Sequence, residues 1–261
     1  MIYGDLKEKI ALVTGATGYL GSEIAINLAL QGAKVYLNSR NESKIKQLQK
    51  KINDLGCASE IAGFDITKQD EVKNFFNNFK ESKLNIIVNN AYNGSLGSIE
   101  YSSEEDFINS YKIIVVASNT ILQESLSLLK KAATIDKDAS VISIASMYGV
   151  VIPKLAFYGS KKVANPPYYG AAKAALIHWS KYAAAEFASD NIRFNSISPG
   201  AFPSPAAQKE NKNLSEKLLE KIPLKKLGTP KDLYPTVLFL SSQKSSYMTG
   251  QNIKVDGGWT I

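Results

Sequence analysis

The chain has one cysteine, Cys57, and one histidine, His178, in 261 residues. A lone cysteine excludes an internal disulfide framework and fits a reducing compartment. A lone histidine excludes a metal site built on histidine clusters and argues against a Ser-His-Asp triad. No metal is therefore expected, and His178 is read as a packing or interface residue, with Met147, Met248, Trp179 and Trp259 as core or subunit-contact residues. No apolar run approaches the roughly 20 residues of a membrane-spanning helix. The opening MIYGDLKEKIALVTG runs into a strand pattern without signal-peptide architecture, so the expected location is cytoplasmic, with no membrane partner. A basic arm is also missing. Lys and Arg number 31 against 24 Asp and Glu, a formal charge of +7. The lysines are dispersed, however, with pairs only at 50–51, 130–131, 161–162 and 225–226, as on a solvated surface rather than a nucleic-acid arm. No Pro/Gly/Ser linker and no internal repeat divides the chain, so residues 1–261 are read as a single domain.

What is present is an alternation. Short apolar runs at 10–14, 34–38, 59–64, 84–90, 140–146, 192–199 and 252–258 lack period-2 patterning, as strands buried on both faces do. Helical patterns fall between them near 20–31, 41–55, 68–80, 103–131, 168–189 and 230–242. The expected fold is α/β: a doubly wound parallel sheet of about seven strands, Rossmann-type, with helices on both faces. Residues 201–217, AFPSPAAQKENKNLSEK, form the most polar irregular stretch. Following a strand end, they are a candidate lid, with a mobile surface loop as the alternative.

TGATGYLG (14–21) lies between the first strand and the first helix. Gly15 suits a tight turn, Gly18 a close approach to a pyrophosphate and Gly21 close helix packing, while a helix N-terminus favours the negative charge. Thr17, Tyr19 and Leu20 complete the candidate loop. At the end of the second strand, where a dinucleotide site usually presents a carboxylate, the chain has Ser39 and Arg40. A guanidinium pairs with a 2′-phosphate that a carboxylate would repel, so NADP(H) is favoured, with NAD(H) as the alternative. Asp65 and Ile66 after strand three, and Asn89, Asn90 and Ala91 after strand four, are placed to hold an adenine edge and the ribose.

With SIASMYG (143–149), YGAAK (169–173), NSISPG (195–200) and MTGQNIKVDGGW (248–259), these motifs together make the chain resemble the short-chain dehydrogenase/reductase family over nearly its full length. The resemblance implies a nicotinamide cofactor and hydride exchange between a carbonyl and an alcohol. Ser146 would bond the substrate oxygen, and Tyr169 would move its proton. Lys173 would bind the nicotinamide ribose and hold the tyrosine's pKa down. Pro199 and Gly200 join the expected cofactor site, and helix pairing between subunits implies a homodimer or homotetramer. Two departures stand out. Tyr19 replaces a frequent glycine, and the asparagine that often holds a water of the proton relay falls on Ile114, with Asn119 five residues on.

YGSKKVANPPYYGAAK contains Tyr-x-x-x-Lys twice, as Tyr158 with Lys162 and as Tyr169 with Lys173. Tyr158 lies 12 residues past Ser146 and Tyr169 lies 23 past it, and the shorter gap is nearer the family's. Pro166 and Pro167, however, forbid a helix running on from Tyr158, whereas one can start just before Tyr169. Tyr169 and Lys173 are therefore the expected pair, and 153–167 contains an insertion of about ten residues beside the substrate pocket. Phe157, Tyr158, Lys161 and Lys162 are its candidate substrate contacts, suited to a sugar ring and a phosphate. SMYGVVIPK and the longer gap resemble bacterial oxidoreductases of flagellin glycosylation and nonulosonic sugar synthesis. The expected function is NAD(P)(H)-dependent oxidoreduction of a small sugar-derived molecule. The alternatives are a 3-oxoacyl thioester reductase and a nucleotide-binding protein with little turnover.

Overall fold

A computed structural model describes residues 6–261. Seven parallel strands form one sheet: β1 (Ile10–Val13), β2 (Lys34–Asn38), β3 (Ser59–Ala62), β4 (Ile86–Asn89), β5 (Ala139–Ile144), β6 (Ile192–Pro199) and β7 (Asn252–Val255). Their order is β3-β2-β1-β4-β5-β6-β7. Every residue of β1, β4, β5 and β6 is buried, which is why these segments read as unbroken apolar runs.

The helices bury the two faces. On one, Ile24 and Leu28 of α1 (Tyr19–Leu30), Ile45 and Ile52 of α2 (Glu42–Asp54), and Leu233 and Val237 of α9 (Pro230–Ser241) pack on Val13, Val35 and Val88. On the other, Val72 and Phe76 of α3 (Gln69–Asn77), Leu122 and Leu129 of α5 (Ala117–Asp136), and Ala183 and Ala184 of α6 (Pro167–Phe187) cover Leu12, Ile87 and Phe194. The connections reverse direction between β1 and β4. In a sheet of this kind the crevice beyond that point, at the carboxyl ends of the strands, takes the ligand.

Three local features differ from the sequence-based expectation. The helix expected over 103–131 extends to 136 and is divided into α4 (Glu104–Tyr111), one π-helical turn (Lys112–Val116) and α5. The polar stretch 201–217 is not irregular: it folds as α7 (Pro205–Glu210) and most of α8 (Lys212–Lys221), capped by the Ser204 and Asn211 side chains. His178 is exposed, so it packs no core within the chain.

Candidate active site

The ends of β1 and β4 are tied by hydrogen bonds that shape the glycine loop. The Thr14 hydroxyl donates to the Val88 carbonyl and accepts from the Asn90 and Ala91 amides, while the Asn90 amide group donates to the Thr14 and Gly15 carbonyls. Gly15 sits at φ +62°, and a Cβ on Gly21 would lie 2.3 Å from the Gly15 carbonyl oxygen. The turn thus needs glycine twice, once for its dihedral and once for space. Gly18 precedes the first turn of α1, whose N-terminus faces a cleft of about 680 Å³.

That cleft gathers Gly15, Thr17, Gly18, Tyr19, Leu20, Gly21, Ser39, Arg40, Asp65, Ile66, Asn90 and Ala91. Asn89 lies deeper, in a separate cavity with Lys173. Pro199 ends β6 and Gly200 follows it, where the space beside Gly200 is filled by Asp256. Tyr92, Lys44 and Ile113 also line the cleft and were missed in the sequence, while Phe202 and Ser204, from the candidate lid at 201–217, line it as well. Lys44 was the findable one, a helical turn beyond Arg40 on the same rim.

The rim beyond β2 is polar and cationic. The Asn38 side chain donates to the Ala62 and Phe64 carbonyls, fixing the end of β2 against β3. Ser39 shares a 2.8 Å hydrogen bond with Thr17. Arg40, 60% exposed, lies 3.5 Å from Asp65. Burial would raise the Asp65 carboxyl, but hydrogen bonds from Thr67 and the nearby guanidinium outweigh it and hold the group below its ordinary value.

At the other end of the cleft, Pro166 and Pro167 start α6, with Tyr169 in its first turn and Lys173 one turn on. Tyr158 stands outside any helix, between two short 3₁₀ turns. Ser146 lies two residues past β5; its hydroxyl accepts from the Tyr148 amide and is the polar neighbour of the Tyr169 phenol. A Cβ on Gly149 would lie 2.8 Å from the backbone of Lys173, so glycine lets this turn seat against α6. Ser146, Tyr169 and Lys173 are thereby brought together.

Burial pushes the Tyr169 phenol up, and Ser146 partly opposes the rise. This is opposite to the lowered phenol that the family resemblance implies. Lys173 is 3% exposed, donates to the Ile144 carbonyl at 2.5 Å and is drawn down by burial to about 7. Its ammonium stands 5.7 Å from the Tyr169 ring and 5.9 Å from that of Tyr92, which itself packs on Tyr169 at 4.6 Å.

The segment 153–167 is divided in its contacts. The Tyr158 phenol reaches that of Tyr148 at 3.3 Å, and the Tyr148 backbone amide in turn donates to Ser146. Phe157 packs edge-on to Trp259 and joins a cluster with Met147 and Leu218 of α8. Lys161 instead pairs with Glu100 at 2.9 Å, and Lys162 lies over Tyr101. Both lysines thus engage the 98–101 segment.

Ile114 is buried within the π-turn, and the Asn119 side-chain oxygen accepts from the Trp179 indole, tying α5 to α6. Among the described residues, no cluster of three or more His, Cys, Asp or Glu is placed to hold a metal, and no helix is long and apolar enough to cross a membrane.

A family model described as "Enoyl-(Acyl carrier protein) reductase" matches residues 15–260. The chain belongs to the short-chain dehydrogenase/reductase family. It is 34% identical to the 3-oxoacyl-[acyl-carrier-protein] reductase of Rickettsia bellii, over 97% of this chain and 98% of that one. Among solved structures it is similar to the Pseudomonas aeruginosa RhlG/NADP active-site complex, with 26% identity, full coverage of both chains and a TM-score of 0.87. It is similar too to L-sorbose reductase from Gluconobacter frateurii, complexed with NADPH and L-sorbose, at 25% identity and a TM-score of 0.86, covering 100% of this chain and 99% of that one. As a family member the chain is an oxidoreductase, and the family uses nicotinamide cofactors. The size of the cleft, the glycine turn and the helix N-terminus fit such a group.

Proposed function

We propose that this chain is an NADP(H)-dependent oxidoreductase acting on a carbonyl or alcohol of a small, polar, sugar-derived molecule. One observation carries the substrate class. The inserted segment brings the Tyr158 phenol to that of Tyr148, whose backbone amide bonds the Ser146 hydroxyl, so hydroxyl groups gather on the residue next to the reacting pair. The Asn165 side-chain oxygen in the same segment is buried without a protein partner. Such a border suits a substrate rich in hydroxyls and disfavours an alkyl chain, which would leave those groups unpaired.

A bound nicotinamide supplies or accepts the hydride. The protein's own part is acid-base chemistry at the substrate oxygen. In reduction the Tyr169 phenol gives its proton to that oxygen while the Ser146 hydroxyl donates a hydrogen bond to it; oxidation reverses both. The raised phenol pKa keeps Tyr169 protonated and ready as the acid in reduction. Lys173, one turn along α6, would meet the ribose and add positive charge beside the phenol.

NADP(H) is supported by Ser39, Arg40 and Lys44 together on the adenosine end of the cleft. A 2′-phosphate would be recognised by charge-assisted hydrogen bonds there. Arg40→Ala should weaken NADPH binding by about tenfold or more and leave NADH almost unchanged, consistent with about 1.5–3 kcal/mol for a charged hydrogen bond. Fluorescence titration of both dinucleotides measures this, and an unaltered preference would rule out the assignment.

Further features complete this reading. Phe157 and Tyr158 border the substrate, α7 and α8 close over it as a lid, and the chain acts as one domain in the cytoplasm. Exposed Phe107, Ile108 and Tyr111 of α4 and Tyr182 of α6 support a homodimer or homotetramer.

A second reading, reduction of 3-oxoacyl thioesters, is favoured by the name that the Rickettsia relative carries. The two separate in one assay: NADPH oxidation by purified protein with keto-sugars and sugar phosphates against an acetoacetyl thioester. Turnover of the thioester alone would reverse the order of the readings. Binding of NADPH with no turnover of either, unaltered by Tyr169→Phe, would favour a nucleotide-binding protein without catalysis.

A further inference from the structure

The Asn89 side chain is 6% exposed, and neither its amide nitrogen nor its oxygen has a protein partner. Buried polar groups are rarely left so, because each orphaned atom costs about 1–3 kcal/mol. Asn89 ends β4, and its register neighbour on β5, Ser143, also has a buried hydroxyl without a protein partner. Asn89 lines a narrow cavity with about 10 Å³ open to the centre of a water molecule, and Lys173 forms part of the same wall. That volume is about what one water requires, given polar partners.

The remaining polar groups of the wall are already committed. The Thr14 hydroxyl donates to the Val88 carbonyl and accepts from two amides. The Ser118 hydroxyl donates to the Ile114 carbonyl at 2.7 Å. Lys173 has three N–H donors and spends one on the Ile144 carbonyl. Free hydrogen-bonding capacity therefore remains at Asn89 and Lys173, on walls of one water-sized space. Ile113, Ile114, Ala117 and Ile121 close the rest with apolar groups.

We propose that Asn89 is a positioning residue for Lys173: one internal water accepts a hydrogen bond from the Lys173 ammonium and donates to the Asn89 side-chain oxygen. The pair supplies from the sheet side a polar contact that Ile114, on the helix side, lacks the side chain to give. Burial draws Lys173 down to about 7, so an added acceptor decides how much of it is charged near neutrality. The titratable groups packed against Lys173 are the phenols of Tyr92, in the segment after β4, and Tyr169, on its own helix. From β1, β5 and α5 it is faced by the Thr14 hydroxyl, the Ile144 carbonyl and the Ser118 hydroxyl.

The assignment rests on the reading of Lys173 as the partner of Tyr169, but its test needs no substrate and so fails or holds independently of turnover. Protein labelled with carbon-13 at the lysine ε position is titrated by NMR, the Lys173 signal being identified by its loss in Lys173→Met. Asn89→Leu should lower the Lys173 midpoint by about one unit or more, a tenfold loss of proton affinity, and Asn89→Asp should raise it by a similar amount. A purely structural asparagine would instead change the melting temperature and leave the midpoint in place. An unmoved midpoint in folded Asn89→Leu overturns the proposal. Should that variant not fold, an unmoved midpoint in Asn89→Asp does the same.

Discussion

Replacing Lys173 by methionine should make the protein more stable at neutral pH while removing its activity. The lysine is almost wholly buried, and burial lowers it from 10.5 to about 7. A group whose folded pKa is depressed in this way binds fewer protons folded than unfolded between those two values. Stability therefore rises with pH from about 7 to 10.5 and is reduced below that window. At about 1.4 kcal/mol per unit, the cost of carrying the buried charge approaches 5 kcal/mol in mildly acidic solution. Loss of the hydrogen bond to the Ile144 carbonyl returns about 1 kcal/mol, and the internal water proposed at Asn89 would trim the cost further. The expected gain for Lys173→Met is thus about 2–4 kcal/mol at pH ~6, shrinking towards zero near pH ~10.5. Urea unfolding of both proteins at several pH values, at one fixed protein concentration, gives the difference directly, since groups common to both cancel. A difference that does not change with pH would refute the reasoning, as would a methionine variant less stable than the parent at pH ~6.

Three further outcomes follow from the geometry. Tyr169→Phe should lower kcat by about 10²–10⁴-fold, the usual contribution of a positioned acid or base, with NADPH binding by fluorescence retained; comparable turnover would move the proton chemistry elsewhere. Arg193, 5% exposed, makes two bonds to Asp138 at 2.7 and 3.0 Å and donates also to Ser245 and the Leu240 and Ser242 carbonyls. Arg193→Met should cost about 3–5 kcal/mol in denaturant unfolding by stranding the carboxylate, and a loss below about 1 kcal/mol would show the pair to be dispensable. Gly21→Ala puts a Cβ against the Gly15 carbonyl and 2.7 Å from the Asn90 amide nitrogen, so NADPH binding should weaken at least about tenfold; unchanged affinity would mean that the loop yields freely.

The parallel sheet was legible because strands buried on both faces write themselves as continuous apolar runs, and the glycine loop because Gly15 and Gly21 answer to backbone geometry that other residues do not meet. The start of the helix that carries Tyr169 and leaves Tyr158 outside was legible for a similar reason: Pro166 and Pro167 act on the backbone, and α6 starts where they permit. What escaped was set by tertiary packing. Residues 201–217 look irregular by composition, yet their helices are capped by Ser204 and Asn211, and α8 is held by Leu218 against Phe157 and Trp259, far apart in sequence. The π-turn at Lys112–Val116 leaves no periodicity signal, since it displaces the pattern by one residue within an otherwise helical run.

The lysines of the insertion show the same limit from the electrostatic side. Composition alone places Lys161 and Lys162 near a prospective anion, but an exposed lysine on a flexible stem takes the nearest partner of suitable charge or π-density. Here those partners are Glu100 and Tyr101, on the connection that follows β4. The same connection meets the insertion again where Gly97 donates to the Ala164 carbonyl, and it meets the start of α6 where Ser95 bonds the Tyr168 phenol. The insertion is therefore held on one side to the segment carrying Tyr92 and on the other to Trp259 and α8. Between those two edges the segment holds the Tyr158 phenol against that of Tyr148. The selectivity proposed for this segment would accordingly rest on the phenols of Tyr148 and Tyr158 rather than on its charge.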